Sequence, residues 1–159
     1  MDHWAGKVMD TMIASGYESS TLVMLISDHG DSLGDHNLWR KGYPTQQVVT
    51  IPMYLRWPAS METQIPLKRG IVDTHLVELR DVFPTLADFA GTNVSHLVDG
   101  DSMFDLLRNP DTVDWRTYID MELTSCGFNI TQTWNAITDG EIKYVYWCAT
   151  VDPLKSEPE

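Results

Sequence analysis

The sequence TLVMLISDHG occupies residues 21–30 and joins an apolar run to a polar loop. Residues 21–26 form a continuous apolar run rather than an alternating one. This pattern is typical of a strand covered on both faces in a parallel sheet flanked by helices. In such α/β folds the functional groups lie just beyond the carboxyl ends of the strands. The pattern therefore places a candidate functional site at residues 28–31.

The flanking sequence predicts further elements of an α/β fold. Trp4, Val8 and Met12 recur every four residues, so a helix is expected over residues 2–15. Gly16 suits the left-handed residue just past the end of that helix. Apolar, proline and glycine positions predict one more strand at 51–57 and a short helix at 84–89. A second short helix is expected from Asp101 or Ser102 to 107.

Beyond residue 109 the sequence favours strands. Three β-rich segments follow one another, and Asp139-Gly140 between the last two is typical of a hairpin. We therefore expect two domains, an α/β part over 1–109 and a small antiparallel subdomain over 110–159. The three β-rich segments are 117–123, 134–138 and 143–147.

The charge of the chain restricts its partners. With 23 acidic and 11 basic residues among 159, the net charge is −12. Such a field repels phosphate backbones, so no nucleic-acid partner is expected. No apolar stretch approaches the ~20 residues of a membrane span. Residues 1–7 show no signal-peptide pattern, and the sequons at Asn93 and Asn129 do not establish secretion, so the localisation is unknown.

Residues 27–36, SDHGDSLGDH, place three carboxylates and two imidazoles in one loop. Carboxylate oxygens suit Ca²⁺, Mg²⁺ or Mn²⁺, while imidazole shifts the preference toward transition metals or a mixed site. Zinc is less favoured because no His or Cys pair stands at a zinc-ligand spacing. Lys41 adds a mobile positive charge suited to an anionic ester oxygen. The alternative interpretation is a solvated turn, because Asp, Gly and His are common in loops after strands.

Several different short motifs lie along the chain in a defined order and at defined spacings. They are SDHG at 27–30, LGDH at 33–36, LW at 38–39, KG at 41–42, IP at 51–52, DVFPTL at 81–86, AG at 90–91 and DG with Ser at 99–102. Their order and gaps, including the twelve residues from His29 to Lys41, resemble the sulfatase family of the alkaline phosphatase superfamily. The resemblance runs from about residue 2 to residue 147. It does not separate sulfatases from the related phosphonate monoester hydrolases.

The resemblance implies a fold and a site. The fold is the carboxyl-side part of an alkaline-phosphatase-like α/β/α sandwich, followed by the small antiparallel subdomain. The site binds one divalent metal ion through Asp28 and His29, with Ca²⁺ as the first expectation and Mg²⁺ or Mn²⁺ as alternatives. Lys41 matches the family lysine that contacts the anionic oxygens of the ester and the nucleophile. His36, on the same loop, is a further catalytic candidate, with a supporting or solvent-exposed role as the alternative.

The implied activity is hydrolysis of a sulfuric ester on a small molecule or a glycan. In the family a formylglycine hydrate, made from Cys or Ser in a Cys/Ser-x-Pro/Ala-x-Arg motif, attacks the sulfur. Hydrolysis of a phosphonate or phosphate ester by the same scaffold is the first alternative. A non-catalytic metal-binding fragment is the second.

The chain departs from the family in its nucleophile. Cys126 is followed by GFNI and Cys148 by ATV, so neither matches the formylglycine motif. The paired-aspartate strand that supplies other metal carboxylates in the family is also absent. We therefore expect both in a missing amino-terminal half before Met1, an incomplete carboxyl-terminal subdomain, and no activity from the isolated chain.

Overall fold

A computed structural model describes residues 2–63, 70, 72–92, 94, 96–108, 114–124 and 133–148. Cys126 and the sequon residues Asn93 and Asn129 lie outside the described residues. The helices are α1 (Asp2–Ala14), α2 (Gln46–Val49), α3 (Val82–Phe89) and α4 (Met103–Arg108), and the strands are β1 (Val23–Ile26), β2 (Met53–Arg56), β3 (Ile119–Leu123), β4 (Thr133–Thr138) and β5 (Lys143–Cys148).

The chain divides into two compact units, each assembled from separate segments of sequence. The first unit comprises Met1–Ser27, Pro52–Asp73 and Leu79–Asp114, and the second comprises Asp28–Ile51, Thr74–Glu78 and Trp115–Glu159. The second unit contains both the loop after β1 and the carboxyl-terminal sheet. The predicted domain boundary between residues 109 and 110 stays a prediction.

The first unit contains the predicted amino-terminal helix and strand. α1 ends at Ala14 and Gly16 has a φ of 77°, so the prediction of a helix followed by a left-handed glycine is confirmed. β1 pairs with β2, with Val23 opposite Arg56. Within the described residues, none of the helices has the length and apolar composition that crossing a bilayer requires.

The expectation that β1 is covered on both faces in a parallel sheet is wrong for the described residues. β1 and β2 form an antiparallel two-stranded sheet, and the side chains of Leu25 and Ile26 remain 49% and 38% exposed. An apolar run indicates which side chains favour burial, but it contains no information on the direction or number of the neighbouring strands.

A hydrogen-bonded connection joins α3 to α4 in the first unit. The fully buried Thr85 hydroxyl donates to the Asp81 carbonyl at 2.6 Å and accepts the Met103 backbone N–H at 2.8 Å. The Asp81 carboxylate accepts the backbone N–H of Asp101 at 2.9 Å. The Ser102 hydroxyl accepts the N–H of the second residue of α4 at 3.2 Å, which confirms the predicted cap.

The second unit contains the three-stranded antiparallel sheet β3-β4-β5, as the sequence predicted. Trp134 and Ala136 of β4 are buried, and the intervening Asn135 is exposed, so one face of the sheet is covered. The hairpin turn at Asp139-Gly140 also matches its prediction, with Gly140 at a φ of 94°. The Asp139 carboxylate accepts the backbone N–H groups of Ile142 and Glu141, which lowers the pKa of this carboxyl.

Candidate functional site

The candidate site lies on a loop that begins two residues after β1 and turns back on itself. The Ser32 N–H donates to the Arg40 carbonyl at 3.0 Å, and the Gly34 N–H donates to the Leu38 carbonyl at 2.9 Å. These two hydrogen bonds join the outgoing and returning arms of the loop. They bring Lys41 back toward His29, although the two residues are twelve apart in sequence.

The loop adopts a backbone shape that side chains disfavour. Four of its non-glycine residues have positive φ angles: Leu33 at 44°, His36 at 52°, Asn37 at 57° and Arg40 at 71°. Such conformations cost on the order of 1–3 kcal/mol each and persist only where surrounding contacts hold them. The concentration of this strain in the segment between His29 and Lys41 supports a functional role for the loop.

Asp28, His29 and Lys41 are brought together at the base of the loop. The Lys41 Nζ atom lies 2.6 Å from the His29 Nε2 atom, and the Asp28 Oδ2 atom lies 3.4 Å from the same nitrogen. The Asp28 side chain remains 83% exposed, so its carboxylate is open to a ligand. An acid, an imidazole and an ammonium group therefore meet at one accessible position.

The hydrogen bonds of His29 define its tautomer. Its Nδ1 atom lies 2.7 Å from the Gly30 carbonyl oxygen, which can only accept, so Nδ1 carries the proton. The Nε2 lone pair then accepts from the Lys41 ammonium. An Nδ1–H bound to a backbone carbonyl is the arrangement that orients a histidine to bind a metal through Nε2.

The environment of Asp28 favours its ionised form. Partial desolvation raises the pKa of this carboxyl, but the electrostatic interaction with His29, the backbone N–H groups of Asp28 and His29, and the charge of Lys41 together bring the pKa below its usual value. The His29 N–H contributes through a 3.0 Å bond to Asp28 Oδ1. Asp28 is therefore a carboxylate at neutral pH, as binding a cation requires.

His36 occupies a different part of the loop from the other predicted site residues. It lies in the tight turn at residues 35–37, beyond the closing bond between Gly34 and Leu38, and its side chain is exposed. Among the described residues, no hydrogen bond or ion pair joins His36 to Asp28, His29 or Lys41. Its catalytic role stays a prediction.

The structure adds contacts that the sequence did not reveal. The Trp134 indole N–H donates to the Gly42 carbonyl at 3.0 Å, beside Lys41, across a sequence separation of 92 residues. The Gly30 N–H donates to the Val48 carbonyl at 2.8 Å. No local sequence signal near position 42 marks that residue as the partner of the Trp134 indole.

The fit of a metal ion rests on two side chains. Asp28 Oδ2 and His29 Nε2 are 3.4 Å apart, a spacing that suits adjacent ligands on one cation with metal–ligand distances of about 2.0–2.6 Å. Across the part of the chain that the structure describes, no group of three or more His, Cys, Asp or Glu side chains is arranged to hold a metal. The described residues therefore offer a partial site.

Comparison with known proteins places the chain in a family. The Sulfatase family model matches residues 1–92. An arylsulfatase of Clostridium perfringens (strain 13 / Type A) is 35% identical over 119 residues, which make up 75% of this chain and 24% of that protein. The chain is thus similar to about a quarter of the length of this relative.

Solved structures show the same fold. A phosphonate monoester hydrolase from Silicibacter pomeroyi superposes with a TM-score of 0.78 at 26% identity, covering 93% of this chain and 30% of that one. A protein solved with its substrate D-glucosamine-2-N,6-O-disulfate gives a TM-score of 0.78 at 22% identity, covering 89% and 28%. These likenesses confirm the predicted α/β fold of the alkaline phosphatase superfamily. The match of the family model over more than half of the residues shows that the chain belongs to the Sulfatase family.

Proposed function

We propose that this chain contributes one side of an active site that hydrolyses sulfuric esters. The observation that carries the proposal is the meeting of Asp28, His29 and Lys41 at the base of the strained loop in a member of the Sulfatase family. The similarity to an arylsulfatase supports a sulfate ester as the substrate class. The protein solved with a disulfated glucosamine supports a sulfated small molecule or glycan.

Each of the three residues has a distinct role in this proposal. Asp28 and His29 hold a divalent cation, with Ca²⁺ expected first and Mg²⁺ or Mn²⁺ as alternatives. Such an ion would neutralise charge on the ester oxygens as it develops in the transition state. Lys41 donates hydrogen bonds to an anionic oxygen of the ester. Since Ca²⁺ takes 6–8 ligands, most of its shell must come from other groups or water.

Lys41 and a metal ion compete for the same lone pair in this arrangement. His29 Nε2 has one lone pair, which accepts from Lys41 at 2.6 Å. When a ligand other than Lys41 takes that lone pair, the ammonium group loses its partner there and is available to an ester oxygen. Cation binding and ester binding are therefore expected to support each other through Lys41.

Hydrolysis of a phosphonate or phosphate ester is the second candidate function. The observation in its favour is the 26% identity and common fold with a phosphonate monoester hydrolase. A carboxylate, an imidazole and an ammonium group serve either anion equally well, so the chemistry of these residues does not distinguish sulfur from phosphorus. A substrate comparison decides between the two.

The metal site is tested by calorimetry on the purified chain. Wild type, Asp28→Ala and Asp35→Ala are titrated with Ca²⁺ and with Mn²⁺. Asp35→Ala is the matched control because it removes an exposed carboxylate from the same loop at its far turn. We expect Asp28→Ala to lose metal affinity and Asp35→Ala to keep it. Equal affinities of Asp28→Ala and wild type would refute the assignment of Asp28 as a ligand.

The ester site is tested with an aryl sulfate and an aryl phosphonate monoester, each with and without Ca²⁺. We expect metal-dependent binding that weakens in Lys41→Ala and persists in Lys7→Ala, a control that removes an exposed ammonium from α1. We expect no turnover, because the formylglycine motif is absent from the 159 residues. Tighter binding of the phosphonate would favour the second candidate function, and binding of neither ester would refute both.

A further inference from the structure

The covered face of the carboxyl-terminal sheet faces the segment that follows Lys41. Trp134 on β4 and Lys143 on β5 project from this same face, because Lys143 pairs with Thr138, which lies four residues from Trp134. Trp134 donates to the Gly42 carbonyl at 3.0 Å, and Lys143 Nζ donates to the Gln46 side-chain oxygen at 3.2 Å. The sheet therefore holds the segment 42–46 at both ends.

The two attachment points are four residues apart on each partner. Trp134 and the row of Thr138 are four residues apart on a strand, or about 13 Å. Gly42 and Gln46 are also four residues apart, and an extended chain of that length spans at most about 13–14 Å. Pro44 in the middle of the segment is buried, and Thr45 is extended at φ −74° and ψ 152°. The backbone bends at Tyr43, so the segment is held at two separate points rather than stretched along the sheet.

Lys41 immediately precedes the first of these anchored residues. Gly42 has a φ of 103° and Arg40 has a φ of 71°, so Lys41 lies between two left-handed residues. A backbone of this shape needs contacts that hold it on each side. The Ser32–Arg40 bond supplies one, and the Trp134–Gly42 bond supplies the other.

We infer that Trp134 is a positioning residue for Lys41, with Lys143 as a second anchor of the same segment. The sheet that follows the α/β part is then a component of the ester-binding site, acting on Lys41 through the backbone of Gly42. His29 is held by a contact that does not involve Trp134, because the Gly30 N–H donates to the Val48 carbonyl of α2. Loss of the Trp134 bond should therefore displace Lys41 and leave Asp28 and His29 in place.

The first test does not depend on the proposed function. The ¹⁵N resonance of His29 Nε2 is recorded in the labelled full chain at about pH 8, where an unperturbed imidazole is neutral. Lys41→Ala gives the position of this resonance without the ammonium donor. We expect Trp134→Phe, which keeps the aromatic volume, to move the resonance toward that position. Trp147→Phe, the same change on the cross-strand neighbour of Trp134, should leave it at the wild-type value.

Variants of Lys143 test the same inference if Trp134→Phe does not fold. Lys143→Met removes the donor to Gln46 and should shift the His29 resonance in the same direction by a smaller amount, while Lys143→Arg should restore it. Circular dichroism of each variant checks that the sheet persists. Wild-type resonance positions in both folded Trp134→Phe and Lys143→Met would overturn the inference, and so would equal shifts in Trp134→Phe and Trp147→Phe.

A second test, which rests on the proposed function, measures the affinity for the ester and the affinity for Ca²⁺ separately. In Trp134→Phe we expect aryl sulfate affinity to fall about two- to tenfold, as for loss of one hydrogen bond, while Ca²⁺ affinity stays at the wild-type value or rises toward that of Lys41→Ala. A purely structural defect would lower both affinities together, which would overturn the positioning role. Absence of Ca²⁺ and ester binding in wild type would instead refute the proposed function, and the resonance test would still decide the role of Trp134.

Discussion

Substitution of Gly30 by alanine tests how closely the site loop packs against α2. A Cβ atom at Gly30 would overlap the Gln47 carbonyl oxygen, and it would lie 2.9 Å from the Gln47 carbonyl carbon and 3.3 Å from the Thr50 carbonyl oxygen. Real Cβ atoms essentially never approach other heavy atoms within 3.0 Å. The obstructing atoms belong to the backbone, so no side-chain rotation relieves the overlap. The loop must move away from α2.

The expected cost has two parts. Overpacking of this kind costs about 1–3 kcal/mol. The retreat of residue 30 also breaks the 2.8 Å bond from its N–H to the Val48 carbonyl, which adds about 1 kcal/mol. Gly30→Ala should therefore lower the free energy of unfolding by about 2–4 kcal/mol. Since His29 is the preceding residue, the affinity for Ca²⁺ should fall as well.

Urea unfolding followed by circular dichroism measures the change in stability, and calorimetry measures the change in metal affinity. Gly6→Ala is the matched control, because a Cβ atom there meets nothing within 4 Å and position 6 lies inside α1. That control should raise the free energy of unfolding by about 0.5–1 kcal/mol through helix propensity. A Gly30→Ala chain as stable as wild type, with unchanged Ca²⁺ affinity, would refute the packing described here.

Three further perturbations have defined outcomes. Lys41→Ala should bind Ca²⁺ about two- to tenfold more tightly than wild type by calorimetry, because His29 Nε2 loses a competing donor, and weaker binding would contradict this competition. The pKa of Asp139 is lowered from 3.8 in the fold, so its stabilisation is present above pH 3.8 and is lost as the pH falls through the lowered value. Urea unfolding of Asp139→Ala should accordingly depend less on acidification than that of wild type, and parallel pH profiles would argue against it. Thr85→Val should cost about 1–3 kcal/mol in urea unfolding because the Met103 N–H loses its acceptor, whereas Thr85→Ser should remain closer to wild type.

The secondary structure could be predicted where its signals are local. The turn at Asp139-Gly140 and the Ser102 cap each depend on residues within a few positions of one another, and both are present in the structure. The pairing of β1 was not predictable in the same way. Residues 21–26 indicate an apolar strand, but its antiparallel partner β2 begins 27 residues beyond residue 26 at Met53, and no pattern in β1 specifies that partner.

The site residues could be named from the sequence, but their contacts could not. The motif at 27–30 and the spacing to Lys41 indicated Asp28, His29 and Lys41, and the structure brings these three together. The Trp134–Gly42 bond spans 92 residues and ends on a backbone carbonyl. Because every residue has such a carbonyl, nothing in the identity of Gly42 could mark it as the partner of an indole.

The strain in the loop explains why this distant sheet matters to the site. Arg40 and Gly42 are both left-handed, at φ 71° and 103°, and only glycine adopts that conformation at little cost. Without a contact at Gly42, we expect this strained loop to relax to another shape. Lys41 would then no longer lie 2.6 Å from His29. The bond from Trp134 prevents this at the position next to Lys41, so the geometry of a motif near residue 30 depends on a side chain near the other end of the chain.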